Sequence, residues 1–101
     1  MKIHEIRELL QKDNPKIATG QIELYSRQFA TYLEAAENIQ ANGVIVSHPR
    51  TGQPMENPYL KVRAAAESSF GKMRMIKSDS LWAIASKLLD DMENNSEKLD
   101  V

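Results

Sequence analysis

The sequence predicts a mainly α protein of about four helices, with a short β-hairpin or extended arm between the second and third. Three observations carry that expectation. Apolar residues recur at three- and four-residue intervals over four separate stretches of the 101-residue chain, the period of a helix with one buried face. The run Val44-Ile45-Val46, the only three consecutive β-branched residues, falls between two of those stretches. Residues 42–58 also hold three of the four prolines and two of the four glycines, so the breakers are gathered at one place and the helical stretches are left largely unbroken.

The first helix is short. Ile3, Ile6, Leu9 and Leu10 repeat at helical spacing, with Lys2, Glu5, Arg7, Glu8 and Lys12 around them. Asp13-Asn14-Pro15 ends it, because the residue before a proline is pushed out of the helical region. A helix of about ten residues is marginal alone and must dock on something. Its basic residues, Arg7 and Lys12, with Lys16 beyond, read as a solvated face rather than a phosphate contact.

Thr19 is the expected N-cap of the second helix, with Glu23 in its first turns. Ile22, Tyr25, Phe29, Leu33 (or Tyr32), Ala36 and Ile39 form its stripe, and Glu23, Arg27, Glu34, Glu37 and Gln40 the opposite side. Tyr25, Phe29 and Tyr32 have the chemistry of base-stacking platforms, but at this spacing they read as core. Asn42-Gly43 stops the helix, since glycine readily takes a left-handed terminal conformation. The arm from Val44 to Met55 is too short to be a sheet on its own, so it pairs with itself or with a neighbouring protomer.

Asn57-Pro58 opens the third helix as N-cap and first helical residue, and the helix is expected to reach about Arg74. Tyr59, Val62, Ala66, Phe70 and Met73 are its buried positions, and Ala64-Ala65-Ala66 gives it high propensity. From Lys61 to Lys77 there are five basic residues against one acid, Glu67, in a chain of net charge −1. Residues eleven apart return to within ~20° on a helix, which groups Lys61 with Lys72 and Arg63 with Arg74. Two basic rows on one helix suit a run of phosphates, although a solvated helix with basic ends has the same composition. Lys77 would fall on the apolar side, so a break is expected near Ile76, with Ser78 or Asp79 capping the next start.

The fourth helix carries Leu81, Ala85, Leu88 and Met92, with Trp82 and Leu89 one position along. This resembles a short coiled-coil seam and makes those six residues the candidate oligomer interface. Residues 1–93 are thus read as one helical domain. Residues 94–101 turn polar and acidic, which predicts a disordered tail.

Composition narrows the function classes. There is no cysteine, hence no disulfide, thiolate chemistry or Cys-ligated zinc, in keeping with a reducing cytoplasm. No apolar run reaches the ~18 residues of a membrane span. Gly71-Lys72 lacks the glycine at 66 and the Ser/Thr at 73 that a phosphate-binding loop requires, having Ala66 and Met73. His4 and His48 are far apart, without metal-site spacing. Ser47 and His48 are adjacent in an extended run, where neighbouring side chains point to opposite faces, a poor nucleophile–base pair. No catalytic residue, metal site or cofactor is assigned, and an enzyme is not expected.

Tyr32-Leu33-Glu34-Ala35-Ala36, then Gln40-Ala41-Asn42-Gly43-Val44-Ile45-Val46, Pro49-Arg50-Thr51-Gly52-Gln53-Pro54 and Asn57-Pro58-Tyr59-Leu60, together resemble the small subunit of tailed-phage and prophage terminases. The resemblance covers roughly residues 21–76 and rests on the order and spacing of these pieces. The chain departs from the family where a Leu-Gly-Leu-Thr-Pro-type turn and a downstream arginine are common, reading Met75-Ile76-Lys77-Ser78-Asp79-Ser80 instead. The resemblance implies a non-catalytic DNA-packaging subunit in the bacterial host cytoplasm. It would act as a ring-like homo-oligomer that binds double-stranded phage DNA at the packaging site and presents it to the large subunit, which holds the ATPase and nuclease. On that expectation Arg50, Lys61, Arg63, Lys72 and Arg74 are the candidate nucleic-acid contacts. The competing expectation is a helical protein–protein adaptor or oligomerisation module without DNA contact.

Overall fold

Two of the chain's asparagines hold it together at points where helices end. A computed structural model describes the backbone of residues 1–73 and 75–99, and the side chains of residues 1–73 and 75–90. The order is α1 (Ile3–Asp13), α2 (Thr19–Asn42), β1 (Ile45–Ser47), β2 (Pro54–Glu56), α3 (Tyr59–Lys72) and α4 (Asp79–Leu99), the predicted helices and hairpin. Every other helix packs on α2. The expected tail begins inside the α4 backbone; its side chains, and Asp100 and Val101, lie outside the described residues.

The core is one cluster in which Ile6 and Leu10 of α1 meet Ile22, Tyr25, Phe29 and Leu33 of α2 and Leu81 and Ala85 of α4. The α2 stripe is the one its periodicity gives, with Ile39 only half-buried at its end. An aromatic group closes the cluster between α2, α3 and α4. Phe29 meets Trp82 edge-on with ring centroids 4.7 Å apart, and Phe70 meets Trp82 perpendicularly at 5.4 Å. Tyr25 and Tyr32 flank Phe70 at 5.2 and 5.8 Å. The polar tips are connected as well: the Trp82 indole N–H donates to the Tyr25 hydroxyl (3.4 Å), which donates to Ser78 Oγ (3.0 Å). Such tips must find partners when buried.

Asn14, expected only to help stop α1, is a buried latch. Its Nδ2 donates to Leu10 C=O (2.9 Å) and to Lys77 C=O (2.6 Å), while its Oδ1 accepts from Lys77 N–H (2.7 Å). The end of α1 is thereby fixed to the residues that lead into α4. Asn14→Ala strands the Lys77 amide and carbonyl, while Leu10 C=O keeps the backbone N–H of residue 14. It is expected to cost about 2 kcal/mol, read as a lowered urea midpoint with unchanged m-value.

Three helix ends differ from expectation. Thr19 is not a cap: α2 begins at Thr19 itself, after Ala18, without a capping side chain, and Ala18 C=O accepts from Gln21 and Ile22. α3 stops at Lys72 rather than Arg74, because Met73 leaves the helical region (φ −109°, ψ 45°) just after Gly71. Ser78 does stand ahead of α4, with Trp82 N–H donating to its backbone C=O (2.9 Å), but its hydroxyl serves Tyr25. Gly43 ends α2 as expected, at φ +86° and ψ 176°, a combination open to glycine and costly for other residues.

The radius of gyration, 15.7 Å, exceeds the about 13 Å of a compact chain this long. The hairpin packs little on the helices and is fixed mainly at its root.

Candidate nucleic-acid interface

That root is Asn57, almost fully buried. Its Nδ2 donates to Gly43 C=O (2.8 Å) and to Asn38 Oδ1 (3.1 Å), and its Oδ1 accepts from Tyr59 N–H (3.0 Å). The last bond is the expected N-cap interaction. The other two had no signal in the sequence, since they join α3 to the end of α2 across 14 and 19 residues. One side chain therefore sets the direction in which both α3 and the hairpin leave α2.

With α3 so directed, Ala66 is buried and Tyr59, Val62, Phe70 and Met73 are half-buried against the rest of the protein. Lys61 and Lys72 are exposed and, among the described residues, have no ion-pair partner. Eleven residues separate them, about 16 Å along the axis, so the two ammonium groups mark one outward row. Arg63 is half-buried at the edge of the packed side, its guanidinium 4.0 Å from Glu67 one turn on. A pair this loose and exposed contributes little, roughly 0–1 kcal/mol, and leaves Arg63 free to exchange partners. Arg50 stands apart from this row, exposed in the hairpin turn, with its backbone N–H donating to His48 Nδ1 (3.1 Å). Arg74 lies outside the described residues.

The arginines of α1 and early α2 are in a different state. Glu23 lies between Arg7 and Arg27, with Nε of Arg7 at 2.5 Å and Nε of Arg27 at 3.1 Å. Hydrogen bonds from Arg7 first, then Arg27, hold its carboxyl below the ordinary value of 4.5. The depressed value means that the link is complete above the ordinary carboxylate range and is lost as pH falls through the lowered one. Arg7 is thus occupied, whereas Lys61 and Lys72 are not.

The candidate oligomer seam is divided by the fold. Leu81 and Ala85 are fully buried in the chain's own core, and Trp82 belongs to the aromatic group. Leu88 is exposed, Leu89 half-buried, and Ile84, not one of the six candidates, is also exposed. Met92 lies outside the described residues. One helix face carries both a core and a surface here, and apolar spacing alone does not distinguish them.

A cleft of about 640 Å³ opens beside the hairpin root and is lined by Asn38, Asn42, Ser47, Asn57 and Tyr59 among others. No charged residue is among its lining residues, which offer amide and hydroxyl groups for hydrogen bonding.

Residues 4–100 match a family model described as phage terminase, small subunit. No curated protein and no solved structure matches the chain.

Proposed function

The chain belongs to the phage terminase small-subunit family and so serves phage DNA packaging; from that premise we propose that α3 binds the phosphates of packaging-site duplex and that the bound DNA is presented to the terminase large subunit. The observation that carries the proposal is the exposed row of Lys61 and Lys72, unpaired among the described residues, beside the loosely held Arg63. Arg50 adds a contact from the hairpin turn, and Arg74, outside the described residues, is the remaining proposed contact. ATP hydrolysis and DNA cleavage belong to the large subunit, and this chain acts without catalysis in the bacterial host cytoplasm. Residues 1–93 are the working domain and 94–101 a polar tail.

A handful of cations per protomer gives weak attachment, and homo-oligomerisation multiplies it. Leu88 and Leu89, with Ile84, are the described part of the α4 face available for contact between protomers, and Met92 is proposed to join them. That same exposed patch is what favours the adaptor alternative, in which α4 docks a different protein and the basic row only aids solubility.

A salt titration separates the two. Fluorescence anisotropy on any duplex is expected to show binding whose logarithm falls linearly with the logarithm of salt concentration, by about 0.9 per phosphate contacted. A monodisperse assembly indifferent to duplex at low salt would favour the adaptor.

A further inference from the structure

The two edges of the hairpin are chemically unlike. Asn57 N–H donates to Val44 C=O and His48 N–H to Gln53 C=O, each at 2.8 Å. Within the pairing Ile45↔Glu56, Val46↔Met55, Ser47↔Pro54, alternation then makes Val46↔Met55 the hydrogen-bonded pair. The backbone groups of Pro54 and Glu56 therefore point outward from β2, and those of Ile45 and Ser47 outward from β1. The β2 edge is blunted, because Pro54 has no N–H and Glu56 brings a charge. The β1 edge is not. Ile45 and Ser47 keep both N–H and C=O, no residue from Asn42 to Ser47 is charged, and Val44 and Ile45 are 54% and 59% exposed.

The geometry points to β1 as the site where a second copy of this chain adds its own β1, antiparallel across a two-fold axis, in the order β2-β1-β1-β2. What selects a second copy is that this edge complements itself. With Ile45 of one copy opposite Ser47 of the other, every outward N–H of both residues meets a partner C=O, and Val46 faces Val46 on the axis. Placing Ile45 opposite Ile45, or Ser47 opposite Ser47, satisfies only half of them. The match also ends where the edge ends: the Gly43 N–H is already given to Ile39 C=O (2.7 Å) and Gly43 C=O accepts from Asn57 (2.8 Å), while Pro49 has no N–H. Along an uncharged strand two copies meet without like-charge repulsion, and Val44 and Ile45 lose their exposure to water. A two-fold interface of this kind presents the same patch on both sides. It is separate from α3 and α4 and needs no DNA.

The chain has no cysteine, which makes the test direct. In the proposed register Val46 and its copy form a pair without mutual hydrogen bonds, whose Cα atoms lie about 4.5 Å apart, within the range that a disulfide spans. On mild oxidation Val46→Cys is expected to collect as a covalent dimer on a non-reducing gel, while Glu56→Cys, on the blunted edge, stays single. Ser47→Pro copies onto β1 the device that Pro54 supplies directly across from it and leaves the hairpin's own ladder intact. With an unchanged far-UV spectrum, it is expected to halve the assembly's mass in sedimentation velocity, as is Ile45→Lys. A Val46→Cys chain that stays single, or cross-links no faster than Glu56→Cys, overturns the assignment, as does an undiminished assembly in both edge variants. None of these outcomes decides whether α3 contacts phosphates: a smaller assembly can bind duplex more weakly through lost avidity, while retained salt-dependent binding reports the DNA contact separately.

Discussion

Replacing Phe29 by alanine is expected to remove about 3–5 kcal/mol of stability, much of what a domain of this size possesses. Phe29 is fully buried on the helix that every other helix touches. Its ring contacts Trp82 of α4, Phe70 of α3 and Tyr32 of its own helix, with centroids 4.7, 5.9 and 6.3 Å away. Truncation therefore opens a void on three elements together, and collapse from one side cannot fill it without losing packing on another. In a thermal melt followed by far-UV circular dichroism, the midpoint should fall by well over 10 °C, at the several degrees per kcal/mol typical of domains this long. A loss below about 1 kcal/mol, the ordinary scale for mutations outside a core, would mean that α4 is not seated on α2 and α3. The orientation of α3 depends on this same cluster through Phe70, so the basic row is only as well positioned as the aromatic group behind it.

How far the sequence reveals this arrangement depends on the range of the interaction. Ile22, Tyr25, Phe29 and Leu33 repeat within one helix, so their period exposes them. Gly43 and the Asn57-Pro58 step are legible because backbone conformation is a local property. Asn14 binding Lys77, 63 residues away, leaves no local trace, and Asn14 before Pro15 reads equally well as a simple helix stop. The Arg7–Glu23 link is hidden for the same reason, and with it the fact that one arginine of the first helix is already neutralised. Leu81 and Ala85 are the instructive error of attribution. Their spacing correctly announces an apolar face, but a period states that a face is covered, not by what. In this chain α1 and α2 cover it up to Ala85, and the uncovered remainder starts near Leu88.

Neutralising Lys61, Arg63, Lys72 and Arg74 together, each to glutamine, is expected to weaken duplex binding by up to about three to four decades at 0.1 M salt. The magnitude follows from counterion release: each neutralised phosphate contributes about 0.9 to the salt slope, and at 0.1 M this is nearly a decade of affinity apiece. The slope itself should flatten by the same ~0.9 for every phosphate that is no longer engaged. That change separates the effect from a general loss of folded protein, where the remaining competent fraction keeps its slope. Lys61 and Lys72 are exposed and Arg63 has only its distant Glu67, so the fold should tolerate the changes at these three positions. Arg7→Gln is the informative comparison, because that guanidinium is held by Glu23 and its removal should leave the slope nearly as it was. If the folded quadruple variant binds duplex as tightly as the parent, α3 is not the contact surface. Attention would then move to Lys12 and Lys16, since Arg7, the third cation of that end, must first give up a carboxylate to reach a phosphate.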